Sequence, residues 1–298
     1  MIDPTFILNA KIYLSIQQTR ITAGNRIFGY VKESWIRSYK EYPKLLRIRK
    51  DKSADRKKTA AYEKKVLKSA LAEHNLTLKD FESDFEAAKA SNTNYQMLVK
   101  AEKQALKEIS KQLKNYDIYE NWLTEVKGIG ESISIKLLSA IRDIKRFKTP
   151  SSLWTYFGLA PGQRKRKGQE ANFNPELKAL ALGVIGKQLL MANSQYRVVY
   201  DEAKEYIKKR EPEWDNPKKH PGHYHKWANR KMVKRFFSDM WQAWYKSLGM
   251  EPPCNPYITN DPRHTLEPMI VEYEDSHGCG ESQDHNAIPQ EPIEATAN

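Results

Sequence analysis

Apolar positions recur at helical intervals through most of the first 249 residues of this chain. Two apolar and aromatic patches come first, FILNAKIYLSI and IFGYVKESWIRSY, between residues 5 and 45. Both patches read as helix, and Gly24 and Gly29 predict a bend or break between or within them. From Ser53 to Glu120 nearly every residue is a helix former, with natural turns at Asn75–Leu76 and Ser91–Asn94. Leu98, Ala101, Ala105, Leu106 and Ile109 keep a helical period through mixed charge, which predicts a helical hairpin or coiled-coil-like arm.

The pattern then changes. In NWLTEVKGIGESISIKLLSAI, Leu123 and Val126 precede Gly128-Ile129-Gly130, and Ile133, Leu137, Ala140 and Ile141 follow. That is the spacing of a helix-hairpin-helix, whose glycine turn brings backbone close to a phosphate while the N–H groups of the second helix face it. The same spacing also suits a tight helix–helix turn with no ligand. Downstream, Thr149 or Ser151 can cap a short helix with an apolar face of Leu153, Trp154 and Phe157, ending at Gly158. Asn174 and Pro175 fit an N-cap and first position for a long helix, PELKALALGVIGKQLLMAN, extending toward YRVVYDEAKEYIKKR. Gly183 and Gly186 are costly inside such a helix unless something packs closely on them. In WANRKMVKRFFSDMWQAWYKSLG, Trp227, Val233, Phe236, Phe237, Met240, Trp241, Trp244 and Leu248 make a broad apolar face.

The expected fold class is therefore all-α, in four parts. Residues 1–52 form a short helical region, 53–121 the arm, 122–249 a helix-hairpin-helix-containing domain, and 250–298 a tail with the composition of a disordered segment. No apolar run reaches the length of a membrane span, and the first twenty residues lack a secretory cleavage pattern. Cys254 and Cys279 are the only cysteines, so disulfides are not expected to staple the fold, and a reducing, cytoplasmic setting is expected.

Charge sharpens the picture. The net charge is +13, but residues 250–298 hold ten acidic side chains and one arginine, which leaves +22 on residues 1–249. Arg164, Lys165, Arg166 and Lys167 stand together in GQRKRKG, and Lys226, Arg230 and Lys234 recur every four residues as a basic stripe. With Lys127, Gly128 and Gly130 they form the candidate nucleic-acid-binding set, because a polyanion relieves the repulsion among clustered cations. The stripe also reads as ordinary solvated surface. DNA is the expected partner, structured RNA the alternative, and a homo-dimer through residues 53–121 a further contact. No nucleotide-binding loop is present, and His220, His223 and His225 with the two cysteines lack the paired spacing of a zinc site, so neither cofactor nor metal is expected.

Several linked motifs go further: the G-I-G turn at 128–130, the run from Ile141 to Phe147, then Leu153, Tyr156, Gly158, Leu159 and Pro161, and later RKMVKRFFSDMWQAWY. From Val126 to Leu248 the chain resembles the C-terminal domain of the IS110/IS116/IS902 family of transposases, with Arg142 where that family usually has glycine. The resemblance implies DNA recombination, with a nucleophilic serine in the loop after G-L-x-P and an acidic RuvC-like domain at the N-terminus. Here the chain departs. Residues 1–52 are too short for such a domain, and no serine occurs from Pro161 to Asn193. The cations of that loop remain without a nucleophile. The sequence therefore predicts a DNA-binding protein related to these transposases without autonomous strand cleavage and with no catalytic residues. A divergent active recombinase and a helical structural protein are the alternatives.

Overall fold

A computed structural model describes residues 1–51, 55–163, 168–216, 220 and 222–253. Among the described residues every regular element is helical, as the periodicity predicts. Helix α1 spans Pro4–Ile36, with Pro4 in its first turn and the Asp3 carboxylate accepting from the Thr5 N–H. It runs unbroken through Gly24 and Gly29, where the sequence predicts a bend or break. The reason is tertiary: α5 (Thr93–Leu113) lies antiparallel along it, pairing Asn9 with Gln112, Gln17 and Arg20 with Glu102, and Gly24 with Tyr95. A Cβ on Gly24 would stand 3.3 Å from the Tyr95 ring, so the glycine lets that ring lie against the helix. Packing of this kind outweighs the roughly 1 kcal/mol that each helical glycine costs.

Two hydrophobic cores form, and α1 contributes to both. Its C-terminal end places Ile36 with Leu45 of α2 (Tyr42–Lys50), Val66, Leu67 and Leu71 of α3 (Arg56–Glu73), and Phe81 of α4 (Leu78–Ser91). The turns at Asn75 and Asn92 fall where the sequence expects them. Asn75 takes φ 59°, the Thr77–Asp80 capping box opens α4, and Asn92 caps α5. The N-terminal end of α1 instead inserts Phe6, Ala10 and Tyr13 into the larger core, where Ile109 and Leu113 of α5 meet the rest of the chain.

That larger core is organised around α12 (His223–Ser247). Val233, Phe236, Phe237, Met240, Trp241 and Trp244 are buried as predicted, whereas Leu248 is 38% exposed and Trp227 is half-buried at the cleft described below. The Trp241 indole N–H donates to the Phe147 carbonyl at 2.6 Å, and Phe157 packs on Phe237 with ring centroids 4.4 Å apart. Around it lie α6 (Asp117–Asn121), α7 (Glu131–Ile141), α8 (Pro150–Tyr156), α9 (Pro175–Ala179), α10 (Gly186–Met191) and α11 (Arg197–Arg210).

The helix opened by Asn174 and Pro175 departs from expectation twice. A π-helical turn, Leu180–Ile185, joins α9 to α10, and the Asn229 amide of α12 donates to the Leu182 carbonyl within it at 3.0 Å. Gly186 makes room for that amide: a Cβ there would meet Asn229 Oδ1 at 2.2 Å, whereas Gly183 faces open space. The helix then stops at Met191. Asn193, with φ 48°, turns the chain before α11 begins, so the two apolar stretches are separate helices.

At the end of α7 the chain makes a three-residue turn, in which the Asp143 N–H donates to the Ile141 carbonyl at 2.7 Å across Arg142. Arg142 has φ 62° and ψ −49°, a conformation that costs a residue with a Cβ about 1–3 kcal/mol. Its carbonyl accepts from the Ile2 N–H at 2.7 Å, so the turn also docks the start of the chain. Arg142→Gly should therefore raise stability by about 1 kcal/mol, net of the added freedom of glycine in the unfolded chain. Thermal melting of the two proteins checks the sign.

Candidate nucleic-acid interface

The G-I-G turn has two faces. Val126 and Ile129 are buried beneath it. Gly128 has φ +95°, and a Cβ on it would lie 2.7 Å from the Gln188 carbonyl oxygen, so this side of the turn is pressed against the end of α10. Gly130, by contrast, is the N-cap of α7 and has open space around it, next to the exposed Lys127. The first turn of α7 already carries a carboxylate, Glu131, which accepts from the Ser110 hydroxyl of α5 at 2.7 Å. Ser132 accepts from the Tyr13 hydroxyl of α1 at 3.0 Å. The partial positive charge of the helix end is thus partly met by the chain's own acid, a feature the glycine spacing does not reveal.

The cations Arg164, Lys165, Arg166 and Lys167 lie outside the described residues, as does the acidic stretch from Cys254 onward. The ground on which that loop stands is described. Gln163 is 7% exposed and held at both ends of its amide. Its Oε1 accepts from the Ala160 N–H at 2.9 Å, and its Nε2 donates to the Thr155 carbonyl at 3.0 Å. Lys178 of α9 donates to the Gln163 carbonyl at 2.7 Å while its ammonium sits 4.0 Å from the Phe173 ring centroid. These contacts fix where the chain enters the basic run and tie that point to the helix after it.

Just before this anchor, Leu159 and Pro161 line one wall of a cleft of about 350 Å³ whose other wall is the first half of α12. Lys226, Arg230 and Lys234 all reach it, so the structure brings the stripe beside the base of the GQRKRKG loop. Lys127 and Gly130 do not line this cleft. Six of its residues are outside the sequence-derived binding set: Leu159 and Pro161, which the sequence shows only as motif positions, and Lys231, His223, Trp227 and Trp214. The sequence offered only a weak sign of the last four, a tryptophan beside Lys226 in the cationic period. Trp214 sat in a polar insert with no period at all.

The cleft is electrostatically crowded. Burial, together with the positive charges of Lys231 and Arg230, pushes the Lys234 ammonium down to about 8 from an ordinary 10.5. Its Nζ lies 4.7 Å from the Trp154 ring centroid, while the Trp154 indole donates to the Lys234 carbonyl at 3.1 Å. In the unfolded chain Lys234 keeps its proton until near pH 10.5, and in the folded protein it releases it near 8. Between these values the unfolded state holds the extra proton, so stability rises with pH across the window, and below it the full penalty is present. Lys234→Met keeps the apolar stem and removes that penalty. At neutral pH the variant should be more stable by about 1 kcal/mol, after discounting for solvent screening of a partly exposed ammonium. Urea denaturation at increasing pH should show the advantage fading toward pH 10.5.

The HPGHYH histidines diverge. His220 and His223 have rings 4.9 Å apart, but His225 Nδ1 is 2.9 Å from the Tyr200 hydroxyl of α11. Among the described residues no three His, Cys, Asp or Glu side chains gather as a metal-ligand set. No helix there is long and apolar enough to cross a membrane.

The family model of the Transposase IS116/IS110/IS902 family matches residues 120–169. That segment of the chain is similar to the family. No curated protein and no solved structure matches the chain. The matched segment runs from α6 through the G-I-G turn, α7 and α8 to the Leu159–Pro161 wall of the cleft and the basic loop. It supports a role related to transposition. Of the serine hydroxyls flanking the basic loop, Ser152 is engaged and Ser194 enclosed, whereas Ser151 is exposed. Ser152 donates to the Thr149 carbonyl at 2.6 Å within the α8 cap, and Thr149, not Ser151, is the capping residue. Ser194 is not inside a helix as its neighbours suggest; it lies in the α10–α11 turn and is 3% exposed.

Proposed function

We propose that this protein binds DNA in a process related to transposition, holding the duplex by its backbone and leaving strand cleavage to another agent. The observation that carries this reading is the cleft itself, where the end of the transposase segment, Leu159 and Pro161, meets Lys226, Arg230 and Lys234. Residues far apart in sequence thereby join one electropositive face, and this reading adds the cations Arg164 to Lys167, which follow Pro161 in the sequence. Lys127 and the open side of the turn at Gly130 add a second point of phosphate contact in this reading, with Gly128 shaping the turn. The lack of cleaving chemistry is supported by the absence of serine between Pro161 and Asn193 and by the enclosure of Ser194.

Each duplex phosphate neutralised contributes roughly 0.9 to the slope of log affinity against log salt. Replacing Arg164, Lys165, Arg166 and Lys167 together by alanine should flatten that slope by up to about 3 to 4 units and weaken binding to unrelated sequences alike. Labelled duplex titrated at several salt concentrations against both proteins measures it. Coincident slopes would move the binding face away from the loop. Structured RNA as a competitor in the same titration tests the alternative partner. A covalent protein–DNA adduct formed with magnesium present would overturn the non-cleaving reading.

A further inference from the structure

The cleft has more than charge. A purely backbone-binding face needs cations that stand out toward phosphates, and exposed Lys226 serves such a face well. The two tryptophans do not fit that role. Trp214, on the 3-10 turn Pro212–Asp215, and Trp227, in the second turn of α12, are both half-buried and line the cleft together. Each is set in place by neighbours. Trp227 stacks on Tyr206 of α11 with centroids 5.9 Å apart and planes 20° from parallel, and Lys231 lies 5.2 Å from its centroid. Trp214 meets the His223 ring edge to face at 5.3 Å, and Tyr224 beside it is tied to the Glu211 carbonyl at 2.8 Å. Among the described residues that line the cleft there is no carboxylate.

Indole rings held in a recess among cations are poorly placed to touch paired bases, whose faces are covered by their neighbours in the stack. They suit an unpaired base, which offers its π face to aromatic surface while its phosphate remains beside the lysines and arginine. The size agrees: about 350 Å³ is on the scale of one nucleotide and far too little for a duplex, whose major groove alone is about 12 Å wide. We propose that this cleft takes an unpaired nucleotide of a DNA strand, the base against Trp214 and Trp227 and the phosphate at Arg230, Lys231 and Lys234. This rests on the DNA-binding reading and adds a substrate class to it: the protein engages single-stranded or locally opened DNA, as well as duplex on the surrounding face. Burial first, and then the charges of Lys231 and Arg230, hold Lys234 low, and a phosphate among these three cations would relieve the repulsive part.

Three labelled probes separate the possibilities: a short oligothymidylate, the same oligomer with abasic sites at its centre, and a blunt duplex. With wild-type protein, oligothymidylate should bind about 5- to 150-fold more tightly than the abasic oligomer, since stacking is worth about 1–3 kcal/mol per base. It should also quench tryptophan fluorescence. The Trp214→Ala/Trp227→Ala variant should lose that preference, with its affinity for oligothymidylate falling by more than its affinity for duplex and the duplex salt slope unchanged, since no cation is removed. The Trp214→Phe/Trp227→Phe variant should retain most of it, which guards against reading a folding defect as lost stacking. Equal binding of the abasic and intact oligomers by wild-type protein would overturn the proposal and leave duplex binding standing. So would unchanged oligothymidylate affinity in the alanine variant. If wild-type protein binds none of the three at low salt, the broader DNA-binding reading falls and this one with it.

Discussion

Asp239→Ala should destabilise the protein by about 3–5 kcal/mol, the range for removing one partner of a buried ion pair. Asp239 is 1% exposed and Arg235, one turn earlier on α12, is 6% exposed. The Arg235 Nε–H reaches both carboxylate oxygens at 3.1 Å, and the buried Tyr196 hydroxyl donates to Oδ2 at 3.1 Å. Alanine would remove the carboxylate whose two oxygens the Arg235 Nε–H reaches and leave that buried cation without its counter-charge. The pair is not there because it is strongly stabilising in itself. Replacing both members with apolar residues of similar size, Arg235→Met with Asp239→Leu, should recover most of the loss. Chemical denaturation of the single and double variants checks both statements, and a single variant as stable as the double would disprove the account.

The second large effect separates the two glycines of the G-I-G turn. Gly128→Ala should cost about 2–4 kcal/mol, for two reasons that add. The backbone at φ +95° disfavours any residue with a Cβ, and that Cβ would press to 2.7 Å on a carbonyl oxygen of α10 that belongs to helix backbone and cannot swing away. Gly130→Ser should leave stability unchanged within about 0.5 kcal/mol, because serine is a good N-cap residue and the position has open space. The contrast also tests function. If a phosphate rests on the open side of the turn, Gly130→Ser should weaken duplex binding while melting normally. If it changes neither property, the turn serves packing alone.

Much of this fold was readable where local and tertiary demands agree. The turns at Asn75–Leu76 and Ser91–Asn94 fall where expected, Asn174 and one of the two cap candidates, Thr149, cap helices, and the α12 face from Val233 to Trp244 is buried as its period requires. Reading failed where a distant partner decides. Gly24 looked like a breaker because nothing in its own segment shows Tyr95 lying over it. The π-helical turn looked like ordinary helix because the Asn229 amide that meets its Leu182 carbonyl is supplied from far along the chain. The cleft was half legible for the same reason. A cationic period can be seen on one helix, but the wall opposite, Leu159 and Pro161, and the indole of Trp214 are brought there only by folding.

Helix α1 has a mechanical consequence. A helix of 33 residues is roughly 50 Å long, and this one starts inside one core and ends inside the other. It acts as a lever with both ends embedded. The layer of α2, α3 and α4 cannot swing on a hinge relative to the α12 body unless α1 itself bends or unwinds, and α5 splints it along much of its length. A force applied by a bound molecule to the far end would therefore be delivered, undiminished by a flexible joint, to Phe6, Ala10 and Tyr13 at the foot of α7. Two glycine residues inserted into α1 between Gly24 and Gly29 would cut that transmission while leaving each core its own side chains.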